Sequence, residues 1–370
     1  MERKRVPLGN YITEYSVRNR SGEDIPVYSV TNSQGFCTEY FDKEVASKDK
    51  TTYKIVPRGY FAYNPSRINV GSVDWQRCEG RVIVSPLYNV FSVSEKMEQQ
   101  YLFYFLKSNV GRQMIKAKAS GSVRDNLKMD MLKEMTIPER TIEEQKKCVA
   151  TLDALKTIIS LWEKELEKLD ELIKARFVEM FGTLDNPSQE FAKATLKELC
   201  NKITDGKHGG CKAEEGTERY FVGAREIYDD EVHYNTAPEI NIDEFEKDYK
   251  RCNIEIGDFL IVNTGATIGK SAIATDERTE HTLLQKSVAL LKVKKEVLNP
   301  VFLKWCYRVN TQMYIVKSAS AQPNLLLSKI NATVIYVPNI ELQNQFVSFV
   351  EQVDKSLRKE SKVVQTKKQY

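Results

Sequence analysis

Thr141 to Phe181 reads TIEEQKKCVATLDALKTIISLWEKELEKLDELIKARFVEMF, and neither Pro nor Gly interrupts the run until Gly182. From Leu155 onward the large apolar residues fall at Leu155, Ile159, Trp162, Leu166, Leu169, Ile173, Phe177 and Met180, mostly in alternating steps of four and three. That is a coiled-coil seam. The opposite face carries Glu163, Lys164, Glu167, Lys168, Asp170, Glu171 and Lys174, where opposite charges three or four apart offset like ones, and it reads as solvated. Gly182 and then Asn186-Pro187 stop the helix. At about 1.5 Å per residue it spans roughly 60 Å, against a globular average of about 11 to 12 residues. Such a helix is a spacer or a dimerisation rod, and its narrow stripe needs a partner helix.

On either side of the rod the chain says the same thing twice. Before it, Asp24–Val30, Tyr60–Tyr63, Arg81–Val84 and Tyr88–Val93 have the short apolar or alternating pattern of strands, and Gln100–Ala119 reads as one amphipathic helix despite Gly111. Offsetting the chain by about 200 residues lays Gly59-Tyr60-Phe61 on Gly257-Asp258-Phe259 and Gly71 on Gly269. Val90–Val93 falls on Leu290–Val293, Leu102-Phe103 with Phe105 on Phe302-Leu303 with Trp305, and Gln113-Met114 on Gln312-Met313. Asn126-Leu127 matches Asn324-Leu325, and Ile142-Glu143 with Gln145 matches Ile340-Glu341 with Gln343. The second copy also runs into a helix, striped by Phe346, Val350, Val353 and Leu357 and followed by the basic tail KVVQTKKQY. The reading is an α/β (α+β) chain of four parts: a domain over 1–140, the central helix over 141–182, a second domain over 183–339 and a closing helix over 340–370. Two helices closing two copies of one domain pack antiparallel, seam on seam, and relate the copies by a pseudo-two-fold. Pairing between two chains is the other solution open to the sequence.

Composition narrows the class. A chain of 370 residues holds two or three domains, and 41% hydrophobic with 10% aromatic residues builds ordinary cores. The net charge of +4 permits an acidic partner without demanding one. Seven Cys, scattered and with no C-x-x-C pair, read as reduced thiols of a cytoplasmic protein. No apolar run of transmembrane length occurs and MERKRVPLGN has no apolar h-region, so neither a membrane nor export is expected.

GDFLIVNTGATIGK (Gly257–Lys270), QPNL (Gln322–Leu325), VPNIELQNQF (Val337–Phe346) and LIKARFVEMFG (Leu172–Gly182), in this order and repeated around a long helix, resemble the specificity subunit of a type I restriction-modification system. The resemblance covers nearly the whole chain. It implies two target-recognition domains, each reading one half of a split, asymmetric duplex DNA sequence. The helices would set the unread gap and dock two methyltransferase subunits, to which restriction subunits add. It also implies that S-adenosylmethionine, ATP and Mg²⁺ act on those partners, and that this chain is not an enzyme. The copies depart from each other where the second has NTGATIGK and the first NPSRINVGS, as different half-sites require.

Individual motifs carry less. Asn263–Ser271 misses the phosphate-loop spacing, because three residues rather than four separate Gly265 from Gly269. It serves either a tight turn or a loop bringing backbone N–H groups, Thr264 and Lys270 to a DNA phosphate. In the first copy Arg67 suits guanine O6/N7 and Asn69 adenine N6/N7. Arg124 and Gln322, in the matched loops 120–126 and 318–324, are further DNA candidates, while Asn126 and Asn324 suit helix caps. Lys207 and His208 lie in the Gly-rich basic loop Asp205–Gly210 and suit DNA contact. His208 lacks the partners of a catalytic base. Asn64-Pro65-Ser66-Arg67 is similar to the N-P-P-Y of adenine methyltransferases but lacks its second Pro and aromatic. For a docked subunit the candidate anchors are Trp162, Phe177, Met180 and Phe181. The rival readings are a methyltransferase or nuclease in its own right and a homodimeric coiled-coil scaffold without DNA specificity.

Overall fold

In the computed structural model the matched sequence segments become matched sheets. The structure describes residues 3–38, 49–119, 126–310 and 325–367, with side chains to residue 355 in the last stretch. The chain divides into two units, Met1–Trp162 and Glu163–Tyr370.

The first unit is built on an antiparallel four-stranded sheet in the order Ile12–Glu14, Asn89–Val93, Phe61–Tyr63, Val73–Trp75. Successive side chains point to opposite faces, so one strand feeds two cores. Phe61, Tyr63 and Phe91 join Leu102, Leu106, Ile115 and Leu132 of the helices α1 (Gln99–Lys107), α2 (Asn109–Ala119) and α3 (Met129–Glu134). Ala62 and Val90, on the other face, meet Val30, Phe36, Val56, Val82 and Val84. Those residues come from two covering ribbons, Ser29–Thr31 with Gly35–Cys37 and Lys54–Pro57 with Arg81–Val84, both antiparallel. Arg5–Pro7 pairs with Thr136–Pro138 and brings the chain to α4 (Ile142–Phe181).

The second unit repeats the plan. Its sheet runs Cys200–Asp205, Val288–Val293, Phe259–Val262, Ser271–Ile273. Ala192–Thr195 pairs with Val334–Val337 to lead from α5 (Leu196–Leu199) and α6 (Ile242–Tyr249), past α7 (Pro300–Val309) and α8 (Leu327–Ala332), into α9 (Ile340–Lys367). Here the covering layer differs, because Tyr220–Val222 pairs parallel with Thr282–Leu284.

The repeat extends to single atoms. Gly59 and Gly257 have φ of +86° and +97°, and Gly71 and Gly269 of +100° and +90°, a conformation that side-chain-bearing residues avoid. Gln145 is buried, donates from Nε2 to the Lys96 and Arg140 carbonyls and accepts from Glu98 N–H. Gln343 does the same with the Val297 and Pro338 carbonyls and Asn299 N–H.

Three expectations need correction. Gln100–Ala119 is two helices, because Ser108 takes an extended conformation (ψ 160°) and its Oγ accepts the Gly111 N–H at 3.1 Å. A Cβ on Gly111 would stand 2.1 Å from the Phe105 carbonyl oxygen, so glycine permits the sharp turn. Asn126 does not cap α3, whose N-cap is Lys128, and Asn324 lies outside the described residues. The third concerns the seam of α4, which splits. Ile173, Phe177 and Phe181 are buried with Phe302 and Phe346, whereas Leu155, Ile159, Trp162 and Leu166 are exposed. As the α4 partner falls from Phe181 to Phe177 to Arg176, its α9 partner runs from Phe346 to Phe349, the order antiparallel packing produces. Phe177 and Phe181 therefore offer no surface to a docked subunit. Trp162 is exposed and Met180 half-buried.

Candidate nucleic-acid interface

One end of the second unit's sheet gathers four loops. Asp205 ends the first strand, and two residues on, Lys207 N–H donates to the Leu284 carbonyl at 2.7 Å while Lys286 N–H returns to the Lys207 carbonyl at 2.9 Å. Gln285 N–H reaches the Val222 carbonyl at 2.8 Å, and Asn263 N–H the Ser287 carbonyl at 2.9 Å. Leu325 N–H closes the set on the Asn263 carbonyl at 2.7 Å. Strands of a sheet end together, so loops 205–208, 223–226, 263–268 and 285–287 share one rim. Rims of this kind carry function on a rigid scaffold.

Thr264 and His208, expected from sequence, stand on this rim. Thr264 is half-buried, and its hydroxyl lies 3.3 Å from Asn263 Oδ1. His208 is exposed, its Nε2 3.7 Å from Asp205 Oδ2. Lys207 has its backbone here, but its ammonium is held by Asp248 at 2.7 Å and Glu244 at 3.2 Å. These partners, the hydrogen bond to Asp248 foremost, hold its pKa above the ordinary lysine value. Two carboxylates thus neutralise the cation expected to face phosphate, which corrects its place among the DNA contacts. Lys270 is exposed but lines a groove of about 800 Å³ in which the carboxylates of Glu167, Asp170, Glu171, Asp229 and Asp230 outnumber the cations Lys174, Lys270 and Arg308, a net negative setting that disfavours phosphate. Arg308, on the same groove, bridges Asp170 at 2.7 Å and Asp230 at 2.9 Å. Asp229 and Asp230 form the tip of the hairpin Ile227–Val232 with φ of +49° and +61°.

The first unit shows the counterpart. Leu127 N–H donates to the Pro65 carbonyl at 3.0 Å, as Leu325 does to Asn263. Arg67 is exposed just before the turn Ile68–Val70, and Asn69 Oδ1 accepts the Val70 N–H at 2.9 Å. Lys107 braces the loop, its ammonium donating to the carbonyls of Gly71 at 2.6 Å and Asn32 at 3.0 Å. Arg124 and Gln322 lie outside the described residues.

Sequence reasoning missed three members: Arg225, exposed after Val222, and the loops preceding the two central strands, 85–88 and 285–287. In the first of these Leu87 is 77% exposed, and in the second Gln285 is half-buried and Lys286 exposed. The two loops adjoin the matched strand pair visible in the sequence, and that adjacency is the signal that could have found them; Arg225, after a strand the sequence did not show, had no such signal. The three buried thiols do not suit nucleophilic chemistry, since burial pushes Cys200 and Cys306 up to about 12 and Cys252 to about 11. No described helix is long and apolar enough to cross a membrane.

Comparison with known proteins gives this geometry a context. Residues 8–171 and 188–365 each match the model of the type I restriction modification DNA specificity domain. The EcoBI type I restriction enzyme specificity subunit of Escherichia coli is 22% identical over 377 aligned positions, covering 88% of this chain and 77% of that one. A chain from a structural study of complex assembly and conformational transition of the type I R-M system aligns with a TM-score of 0.56 at 16% identity, over 97% of this chain and 92% of its own. The type I restriction-modification S subunit from M. genitalium aligns at 0.47 and 16% identity, over 99% and 92%.

Proposed function

Since the chain belongs to the type I restriction-modification DNA specificity family, we propose that its two recognition domains each read one half of a split, asymmetric duplex sequence. The chain is a specificity subunit: it selects DNA, and catalysis belongs to the subunits it joins. The observation that carries the half-site reading is the pair of equivalent sheets ending in unlike loops. The Pro65–Leu127 and Asn263–Leu325 hydrogen bonds fix the rims alike, while Arg67, Asn69 and Leu87 stand on one and Thr264, His208, Arg225 and Gln285 on the other. Side chains of different donor and acceptor pattern select different base edges on a common backbone contact.

The stoichiometry we propose is one such chain with two methyltransferase subunits, restriction subunits adding afterwards, in the cytoplasm. S-adenosylmethionine, ATP and Mg²⁺ would act on those partners. The helices would set the distance between half-sites, as rigid spacers set it in other two-part readers of DNA. The open stripe of α4 and Trp162 is the surface we assign to helix pairing or a docked subunit.

Methylome sequencing of a methylation-deficient host, expressing the chain with its methyltransferase subunit or that subunit alone, tests this. A split asymmetric motif present only with this chain is expected. A soluble complex that adds no motif would leave the scaffold reading in place.

A further inference from the structure

Three buried glutamines show what a structural glutamine does in this fold. Gln145, Gln343 and Gln76 each use both ends of the carboxamide: Nε2 donates to backbone carbonyls and Oε1 accepts a backbone N–H. Gln285 is different. Its Oε1 accepts the Ser287 hydroxyl at 3.0 Å, and that hydroxyl in turn accepts the Ala224 N–H at 3.1 Å. The amide lies over Gly223, where a Cβ would stand 2.4 Å from Oε1, so glycine makes the room. Nε2 has no protein partner among the described residues, and the side chain is half-exposed on the rim. The amide is thus oriented by the protein with its donor end left open.

We propose that Gln285 is a specificity-determining residue of the second domain. Its carboxamide reads the N6/N7 edge of an adenine in the major groove, and the neighbouring Lys286 contacts phosphate. The inference rests on the half-site reading above and names a residue within it. Reading adenine needs an acceptor and a donor side by side in one plane, and Gln offers both. Oε1 keeps a second lone pair for the N6 amino group while Nε2 donates to N7. The Ser287 bond holds the amide in place beforehand, which lowers the ordering cost of binding. Lys286 is exposed and forms no ion pair among the described residues. The first unit's matching loop also exposes a side chain, at the position equivalent to Ser287, two residues from Gln285. There the loop before the central strand presents Leu87, 77% exposed, an apolar tip that contributes nothing to the core and suits a thymine methyl.

The test is methylome sequencing of the complex carrying Gln285→Ala or the near-isosteric Gln285→Glu, each first checked for an unchanged melting transition and for assembly. With Gln285→Ala, one adenine position in one half-site becomes degenerate, by roughly 5- to 150-fold in relative methylation, while the other half-site stays intact. Gln285→Glu shifts that position toward cytosine, whose amino group a carboxylate accepts. Lys286→Ala weakens binding to all sequences alike and lowers the salt slope by about one. An unchanged split motif in both Gln285 variants overturns the assignment and leaves the half-site reading standing. So does loss of all methylation in both variants with folding and assembly intact, since that is not the loss of one base contact. A wild-type complex that yields no split motif refutes the half-site reading itself.

Discussion

In both units a Phe-led strand lies beside the central strand of an antiparallel sheet, with helices against its Phe face. The strands over the other face pair antiparallel in the first unit, Lys54–Pro57 with Arg81–Val84, and parallel in the second, Tyr220–Val222 with Thr282–Leu284. The helix side repeats even to its buried glutamines, whereas the covering side and the loops it feeds do not. A helix-packed sheet tolerates this because its inner face alone supplies a continuous core, so the outer layer can change its pairing without disturbing the plan. What must stay constant and what must vary are thus placed on opposite faces of one sheet.

The comparison breaks first at the helix junction. Phe346 packs against Phe177, Phe181 and Trp305, while its repeat equivalent is the half-buried Cys148. Phe346→Ala should destabilise the second unit by about 3–5 kcal/mol, and Cys148→Ala the first by no more than about 1 kcal/mol, read as urea midpoints of the two transitions. Equal losses would mean that the second unit's aromatic cluster is not what anchors it to its helices.

Next come the glutamines, which sharpen the likeness. Gln145→Ala and Gln343→Ala each strand two carbonyls and one N–H, and should cost about 2–3 kcal/mol apiece in the same assay. A difference above about 1 kcal/mol would show that one junction admits water and the other does not.

Smaller again are the paired glycines. Gly71→Ala and Gly269→Ala each force a side chain into the left-handed region, at about 1–2 kcal/mol. Gly71 should suffer more, because a Cβ there stands 2.2 Å from Asn32 Oδ1, one of the groups holding Lys107. Differential scanning of the two variants would order them.

The smallest effect is a shared pH response. Glu144 and Glu198 each lie in the first turn of a helix, α4 and α5, and both are depressed below the ordinary glutamate value, Glu144 chiefly by the Arg3 side chain and Glu198 chiefly by the Thr195 N–H. A depressed folded pKa stabilises above the unfolded value and loses that stabilisation as pH falls through the folded one. Acidification below about 4.3 should therefore weaken both helix starts together. Glu198→Gln, which cannot titrate, should remove the second unit's share in a pH series of melting temperatures.

Much of the fold is legible in the sequence because repetition supplies its own control. The offset of about 200 residues alone pairs Gly59 with Gly257 and Gln145 with Gln343, and each pair keeps one backbone or hydrogen-bond role. Less can be read where a pattern has two causes. Steps of three and four suit a seam and a core alike, so Phe177 and Phe181 resemble interface residues in the sequence although Phe302 and Phe346 enclose them in the fold. The break at Ser108 leaves no trace because amphipathic spacing continues across it. Lys207 looks free because Glu244 and Asp248 lie far along the chain. Gln285 escapes notice because three polar residues between strands carry no period.

The middle of α4 has one more consequence. From Thr157 to Lys168, beyond the contacts of Asp153 and Lys156 with Tyr104, every side chain is exposed, so the backbone hydrogen bonds there are defended chiefly by local helix formation. An isolated stretch of that length is marginally helical in water. Its amide protons should trade with deuterium far sooner than those near Gln145 or Phe177, giving the rod two slow ends and a fast middle. A helix or subunit seated on Leu155, Ile159 and Leu166 would slow that middle, which makes deuterium uptake there a residue-level report of whether the stripe is covered.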